Sequence, residues 1–262
     1  MKTFVASAWE PILRFNQLET FEQLWQLDAG WFEPPNQRRG GWSGASRYEM
    51  KDADGGIRPV FIKRQENHLG KTWRHPITGE PSFAIEMRNI LRLRKIQVPA
   101  LTPVYYAQRI EAGKVQAILV TEELTGFIPL TDLLQQWGER DWPRPQARQL
   151  TRSIAAALSR MHQHRLQHHG MYTKHIFVKL PEQSEPEVHL IDLEKMRFNW
   201  FPWLAMRRDL YTLFKEFGPV RCTDQMRFLL AYLDETHLTS RAKRIWRAIH
   251  RKTKQKHRRE HR

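Results

Sequence analysis

Two stretches decide how this chain is read: HHGMYTKH at 168–175 and LIDLEKMR at 190–197. The second reads as a short apolar strand that ends by presenting a carboxylate, Asp192. A carboxylate leaving an apolar strand needs solvent or a partner. The first reads as a loop with three histidines and a glycine, and it holds no carboxylate. What such a pair serves depends on the residues around it.

Upstream, WFEPPNQRRGGWSGASRYEM (31–50) places paired prolines before a Gly-rich turn with Gly40, Gly41 and Gly44. Residues 45–50 and 57–63 alternate as strands around the turn KDADGG and predict a hairpin. PSFAIEMRNILRLRKI (81–96) predicts a helix, with Pro81 at its start and Pro99 and Pro103 beyond its end. Residues 102–110 and 115–124 predict a second hairpin around EAGK. Before all of these, Phe21, Leu24, Trp25 and Leu27 fit one face of a short helix.

The pattern then changes. Residues 130–137, 145–166, 202–217 and 223–238 read as helices, with short strands between 167 and 193. Strands gathered first and helices second predict an α+β protein with two lobes. We expect a sheet-rich lobe over 1–124, a helical lobe over 125–240 and a basic tail over 241–262.

Composition bounds the function. A chain of 262 residues can bury a sizeable core without staples. The one cysteine, Cys222, excludes an intramolecular disulfide framework and a cysteine-rich metal site, and it fits a reducing cytoplasm. The stretch MKTFVASAWEPILRF has no sustained apolar run, so no signal peptide is expected. No run reaches the ~20 apolar residues of a membrane span. The net charge is +15, and 241–262 holds eleven Lys or Arg against one acid, Glu260.

Phosphoryl transfer needs a cover and a cation for the phosphates, a carboxylate for a metal, and a group that orients the acceptor hydroxyl. Candidates occur in that order: Gly40, Gly41 and Gly44; Lys63 at the end of VFIK; Glu86 on the next helix; Asp192. Each alone has a plainer reading. The glycines lack the G-x-G-x-x-G spacing and suit an ordinary turn. Lys63 suits a solvated strand end, and Glu86 suits a surface helix. Arg38, Arg39, Arg207 and Arg208 suit either an anionic substrate or solvent. Trp31, Trp42 and Trp73 suit packing before a sugar or acyl surface. His162, His164, His168 and His169 lack a nearby thiolate, so zinc is disfavoured.

Six longer stretches carry a resemblance: EPPNQRRGGWSG (33–44), VFIKRQENH (60–68), HPITGEPSFAIEMRNILRL (75–93), ILVTEELTGFIPL (118–130), QHHGMYTKHIFVK (167–179) and LIDLEKMR (190–197). On them the chain resembles the lipopolysaccharide kinase family of the protein-kinase-like fold. The resemblance implies ATP and Mg2+ as cofactors, with Lys63 touching nucleotide phosphates and Glu86 holding it. Glu122, Glu123 and Leu124 would form the hinge against which adenine sits, and Asp192 would hold the metal. His168 and His175 match the two histidines of the family's loop, and Gly170 falls where its catalytic aspartate belongs.

That departure costs a catalytic base, a group worth typically 10²–10⁴-fold. His169 beside the gap, with an ordinary pKa near 6.5, is the candidate proton acceptor; Glu194 is the nearest carboxylate in sequence. Imidazole is a poor Mg2+ ligand, so His175 is expected to be structural or to touch phosphate.

Two functions remain open. One is transfer of the ATP γ-phosphate to a sugar hydroxyl of lipopolysaccharide core or a related glycolipid. The other is a catalytically impaired pseudokinase acting as a stress-responsive binding or scaffold protein. The tail helix THLTSRAKRIWRAIHR (236–251) sets Leu238, Ala242, Ile245, Trp246 and Ile249 at intervals of three and four. Its stripe suits packing on the domain or an anionic inner-membrane surface; nucleic acid is disfavoured because no recognised binding module accompanies it.

Overall fold

The structure, a computed structural model, describes residues 3–38, 40–73, 75–139, 144–182, 184–217 and 220–260, with backbone alone at 137–139, 144 and 251–260. Arg39 and the last tail residues, 261–262, lie outside the described residues. The chain forms two compact units: Met1–Leu91 with Leu101–Thr125, and Arg92–Ala100 with Gly126–Arg262.

The first unit opens with strand β1 (Thr3–Val5) and helices α1 (Glu10–Phe15) and α2 (Phe21–Gln26). Thr20 caps α2 through a reciprocal capping box with Gln23, which fixes where that helix starts. Strands β2 (Glu33–Arg38), β3 (Gly41–Lys51) and β4 (Ile57–Glu66) follow. Two short strands, β5 (Leu69–Gly70) and β6 (Glu80–Pro81), lead into helix α3 (Ser82–Lys95). Strands β7 (Pro103–Glu111) and β8 (Lys114–Glu122) complete a six-stranded antiparallel sheet in the order β1-β7-β8-β4-β3-β2.

Side chains alternate across a strand, so one face of this sheet is apolar and buried. Val60 and Ile62 of β4, Ile118 and Val120 of β8, and Tyr105 of β7 pack under Trp9, Leu13 and Leu24. Both predicted hairpins form. Ala112 and Gly113 both take positive φ in the tight β7–β8 turn (48° and 75°), which suits the right-handed twist of the strands.

Strand β2 departs from expectation. Pro34 and Pro35 are expected only to precede a Gly-rich turn, yet they lie in an edge strand paired only to β3, with a bulge between Glu33 and Asn36. Proline is tolerated there because an edge leaves one row of N–H groups unpaired. The Gly-rich turn is also smaller than expected. Gly40 sits in it at φ 77°, whereas Gly41 and Gly44 belong to β3. A Cβ on Gly41 would lie 2.0 Å from the Glu66 carbonyl oxygen, and one on Gly44 would lie 2.7 Å from Trp31. Packing therefore explains those two glycines.

The second unit runs from β9 (Ile128–Pro129) through α4 (Leu130–Glu139) to α5 (Arg144–Gln163). Short strands β10 (Leu166–Gln167), β11 (Ile176–Lys179), β12 (Glu187–Leu190) and β13 (Arg197–Phe198) come next. They form a three-stranded sheet, β12-β11-β9, and a β10–β13 pair. Helices α6 (Pro202–Glu216), α7 (Cys222–Leu233) and α8 (Ser240–Glu260) close the chain. Leu158 and Met161 of α5, Leu210 and Leu213 of α6, and Leu229 of α7 are fully buried.

Helix α7 stops earlier than the predicted 238, because Asp234 turns left-handed at φ 55° and ends it. The tail's apolar stripe packs inward: Ala242 and Ile249 are fully buried, and Trp246 meets Phe214 of α6 edge-on. Leu238 stays exposed. The inner face of α8 is thus spent on packing, and Arg241, Lys243, Arg244 and Arg247 are left outside. Among the described residues, no helix is long and apolar enough to cross a membrane.

Candidate functional site

The residues singled out in the sequence fall into two groups, one in each unit. In the first unit, alternation along β4 turns Lys63 to the face opposite Val60 and Ile62. Helix α3 lies on that face. The Lys63 ammonium donates to Glu86 Oε1 at 2.7 Å, and the Glu86 side chain is 4% exposed. A carboxylate buried that deeply needs its cationic partner. Glu86 is therefore no surface residue, and Lys63 is no free strand end.

Glu122 ends β8. Its carboxylate accepts from the Trp9 indole N–H at 2.7 Å, and its backbone N–H donates to Thr102 O at 2.9 Å. Glu123 accepts from Arg47 Nε at 2.7 Å. Leu124 follows, half-buried, just past the strand. Both acids are thus spent on fixing this corner. The turn that carries Gly40 joins β2 to β3, and Arg38 at its start is exposed.

In the second unit, the 168–175 loop is held from below by Asp209 of α6. Asp209 Oδ2 accepts from the His168 backbone N–H at 2.7 Å and faces His162 Nε2 at 3.1 Å, while Oδ1 accepts from the His169 backbone N–H at 3.1 Å. The other His162 nitrogen meets the Tyr232 hydroxyl at 2.9 Å. These bonds hold His169 at φ 64°, a left-handed conformation uncommon in a non-glycine residue. Glu216 of the same helix accepts from both the backbone N–H and the hydroxyl of Thr173, at 2.7 and 2.9 Å. Asp209 and Glu216 were invisible as site residues in the sequence. The only signal was an acid at 209 among apolar residues of a buried helix face.

His168 donates Nε2–H to the Ile191 carbonyl at 2.9 Å, beside Asp192. Its Nδ1 is buried and has no hydrogen-bond partner among the described residues. Burial therefore holds the His168 pKa below the ordinary value, against a smaller pull from Asp209. His175 donates Nδ1–H to the Gly170 carbonyl at 2.8 Å. Its Nε2 faces Asp192 Oδ2, 3.4 Å away. Asp192 itself is left-handed at φ 57°, with its carboxylate 31% exposed. The part-exposed Asp192 carboxylate is an oxygen donor of the kind that suits a divalent cation. The structure brings His168, His175, Gly170 and Asp192 together; it pins His162 in the network beneath them and leaves His164 exposed.

His169 is exposed beside Gly170. Partial burial first, then the positive charges of Arg197, Arg208 and Lys195, lower its pKa. Glu194 lies in the one-turn helix after Asp192, 4.0 Å from Lys195 Nζ.

A stability consequence follows from His168. Its folded-state pKa is below the unfolded value near 6.5, so the unfolded chain binds the extra proton first as pH falls. Stability is therefore full above pH ~6.5 and declines below it, by up to about 1.4 kcal/mol per pH unit from this one group. Thermal melts between pH 7.5 and 5.5 should show the midpoint falling, with a shallower fall in His168→Asn.

A family model described as "Lipopolysaccharide kinase (Kdo/WaaP) family" matches residues 22–250. Protein InaA of Escherichia coli (strain K12) is 30% identical over 207 residues, covering 79% of this chain and 92% of InaA. Lipopolysaccharide core heptose(I) kinase WaaP of Pseudomonas aeruginosa is 27% identical over 154 residues, covering 56% of this chain and 58% of WaaP. A solved structure of WaaP in complex with acyl carrier protein superposes with a TM-score of 0.70 at 24% identity, over 97% of this chain and 99% of that one.

Proposed function

The chain belongs to the lipopolysaccharide kinase (Kdo/WaaP) family and has its two-lobed protein-kinase-like fold, and from that premise we propose that it binds ATP with a divalent cation and transfers the γ-phosphoryl group slowly. The observation that carries this reading is the Lys63–Glu86 pair at 2.7 Å. A buried carboxylate that holds a half-buried ammonium in one place is a costly arrangement unless the cation has a task.

Lys63 would meet the nucleotide phosphates, under the turn at Gly40. The backbone at Glu122 and Leu124 would seat the base. Asp192 would hold the cation, and His175 beside it would orient the loop or touch phosphate, since imidazole is a poor Mg2+ ligand. When bound, such a cation supplies charge neutralisation at phosphate oxygens. The acceptor class is a sugar hydroxyl of lipopolysaccharide core or a related glycolipid. The hydroxyl oxygen bonds to the γ-phosphorus, the bond from that phosphorus to the bridging oxygen breaks, and ADP leaves. The hydroxyl proton passes to solvent or to His169, whose lowered pKa keeps it neutral and able to accept at pH 7. We further propose that it works on the cytoplasmic side of the inner membrane, a location with which a single cysteine is compatible.

Gly170 favours a second reading, a pseudokinase that binds nucleotide and serves as a stress-responsive scaffold. Nucleotide binding is common to both, and product formation separates them. The test is a calorimetric titration with ATP, with and without Mg2+, on wild type and Lys63→Ala. Saturable binding, weakened at least about tenfold by the substitution, is expected from loss of a charge-assisted contact. Equal binding by both proteins would contradict the role given to Lys63.

A further inference from the structure

One surface of the second unit is left unused by the site. Between Glu194 and Asp209 the sequence KMRFNWFPWLAMRR has four cations and no acid. It runs through β13 and a bend into the first turn of α6. Four large aromatic side chains stand out of this short stretch: Phe198 is 43% exposed, Trp200 74%, Phe201 59% and Trp203 56%. Phe198 and Trp200 meet edge to face with centroids 5.1 Å apart, and the Arg207 guanidinium lies over the Trp203 ring at 5.1 Å. So many exposed large aromatics in one stretch are unusual for a surface in water.

The cations form a field around them. Lys195, Arg197 and Arg208 are exposed, and all three act on the His169 imidazole, which places them beside the 168–170 loop. Apart from the indole N–H groups of Trp200 and Trp203, the neutral hydrogen-bonding side chain of the stretch is that of Asn199. Asn199 is already committed: its amide donates to Gln167 at 3.0 Å and its oxygen accepts from the Phe201 backbone N–H at 3.0 Å. A surface made of Trp, Phe and arginine, and of little else, matches the boundary of an anionic bilayer, where aromatic rings sit at headgroup depth and cations meet phosphates. A second copy of the chain is a poor occupant, since the patch would face its own positive charge. Nucleic acid is disfavoured because the stretch belongs to no recognised nucleic-acid-binding module, and it is one outcome of the test.

We propose that Phe198, Trp200, Phe201 and Trp203, with Arg197 and Arg208, form a docking surface for anionic phospholipid membrane. The surface adjoins the 168–170 loop, so docking would present that loop to headgroups. The proposal does not depend on phosphate transfer, and it survives if the protein binds no nucleotide. It also moves the membrane contact from the apolar stripe of α8, where Ala242 and Ile249 are buried, to this segment.

The test is co-sedimentation of the full chain with vesicles of phosphatidylcholine alone and of phosphatidylcholine with phosphatidylglycerol. Binding is expected only with the anionic vesicles. The triple variant Trp200→Ser, Phe201→Ser, Trp203→Ser should bind at least about tenfold more weakly. Its side chains are exposed, so its thermal midpoint should match wild type, and Arg197→Ala with Arg208→Ala gives an independent variant with the same expected direction. Brominated phosphatidylcholine in the anionic vesicles should quench wild-type tryptophan emission and quench the triple variant less. Unchanged vesicle binding by both folded variants, which would assign the contact to the basic tail, overturns the proposal. So does wild type that ignores vesicles but binds an acidic protein or a single-stranded oligonucleotide through these residues.

Discussion

Gly170→Asp is expected to raise phosphate transfer from ATP by about 10²–10⁴-fold, the range a positioned general base contributes. The geometry allows the substitution. Gly170 does not take a positive φ, and a Cβ placed on it would meet its nearest atoms, His168 Nδ1, His175 Nδ1 and Tyr172, at 3.8–3.9 Å, which is ordinary van der Waals contact. Gly170 is therefore not demanded by the backbone. Its neighbours are already held: His168 and His169 by Asp209, Thr173 by Glu216, and the Gly170 carbonyl by His175. A carboxylate added at 170 would enter a loop already fixed in place. The measurement is ADP formation from ATP, with water and then purified lipopolysaccharide as acceptor, and phosphate incorporation into the lipopolysaccharide. Gly170→Ala serves as the control that fills the same space without a carboxylate. A gain confined to Asp supports transfer limited by the missing base; equal rates in wild type, Ala and Asp would favour the scaffold reading.

Asp209→Ala should cost about 3–5 kcal/mol of stability, the usual scale for removing one partner from a buried ionic network. Asp209 is 1% exposed and accepts two backbone N–H groups while facing the His162 imidazole. Alanine leaves those donors buried and unpaired, and each unpaired group carries its own desolvation cost. It also releases His169 from its left-handed conformation. For a chain of this size the melting midpoint should drop by about 6–20 °C. Asp209→Asn keeps the shape but turns an NH2 group toward a donor, so a smaller loss of about 1–3 kcal/mol is expected. Chemical denaturation of the three proteins at pH 7.5 checks both values. A midpoint for Asp209→Ala equal to wild type would show that the loop is held by something else.

Much of this was legible in the sequence where the signal was local. Alternation around KDADGG and EAGK gave both long hairpins, because a period of two with a glycine turn admits few other folds. Pro81 marked the start of α3 to within a residue. The order Lys63, Glu86, Asp192 was readable, and the family resemblance implied that Glu86 holds Lys63, as the 2.7 Å contact does; the burial of Glu86 was not readable, since it depends on which face of β4 meets α3. Strand β2 was hidden by Pro34 and Pro35, residues that weigh against strands unless the strand lies at an edge. Gly41 and Gly44 were misread as loop glycines because close packing on Glu66 and Trp31 leaves no mark in sequence. Asp209 was missed for the same reason: it meets its loop across some forty residues of chain. The stripe of α8 was ambiguous in principle, because an amphipathic pattern suits a core and a membrane alike.

The central proposal is that the chain binds ATP together with a divalent cation, Lys63 serving the phosphates and Asp192 the cation. The calorimetric titration with ATP, extended to Asp192→Ala, tests it most directly. The account predicts saturable binding by wild type that strengthens with Mg2+, and a variant whose binding no longer responds to Mg2+. No binding of ATP by wild type at millimolar concentration, or a Mg2+ response that Asp192→Ala retains in full, would contradict it.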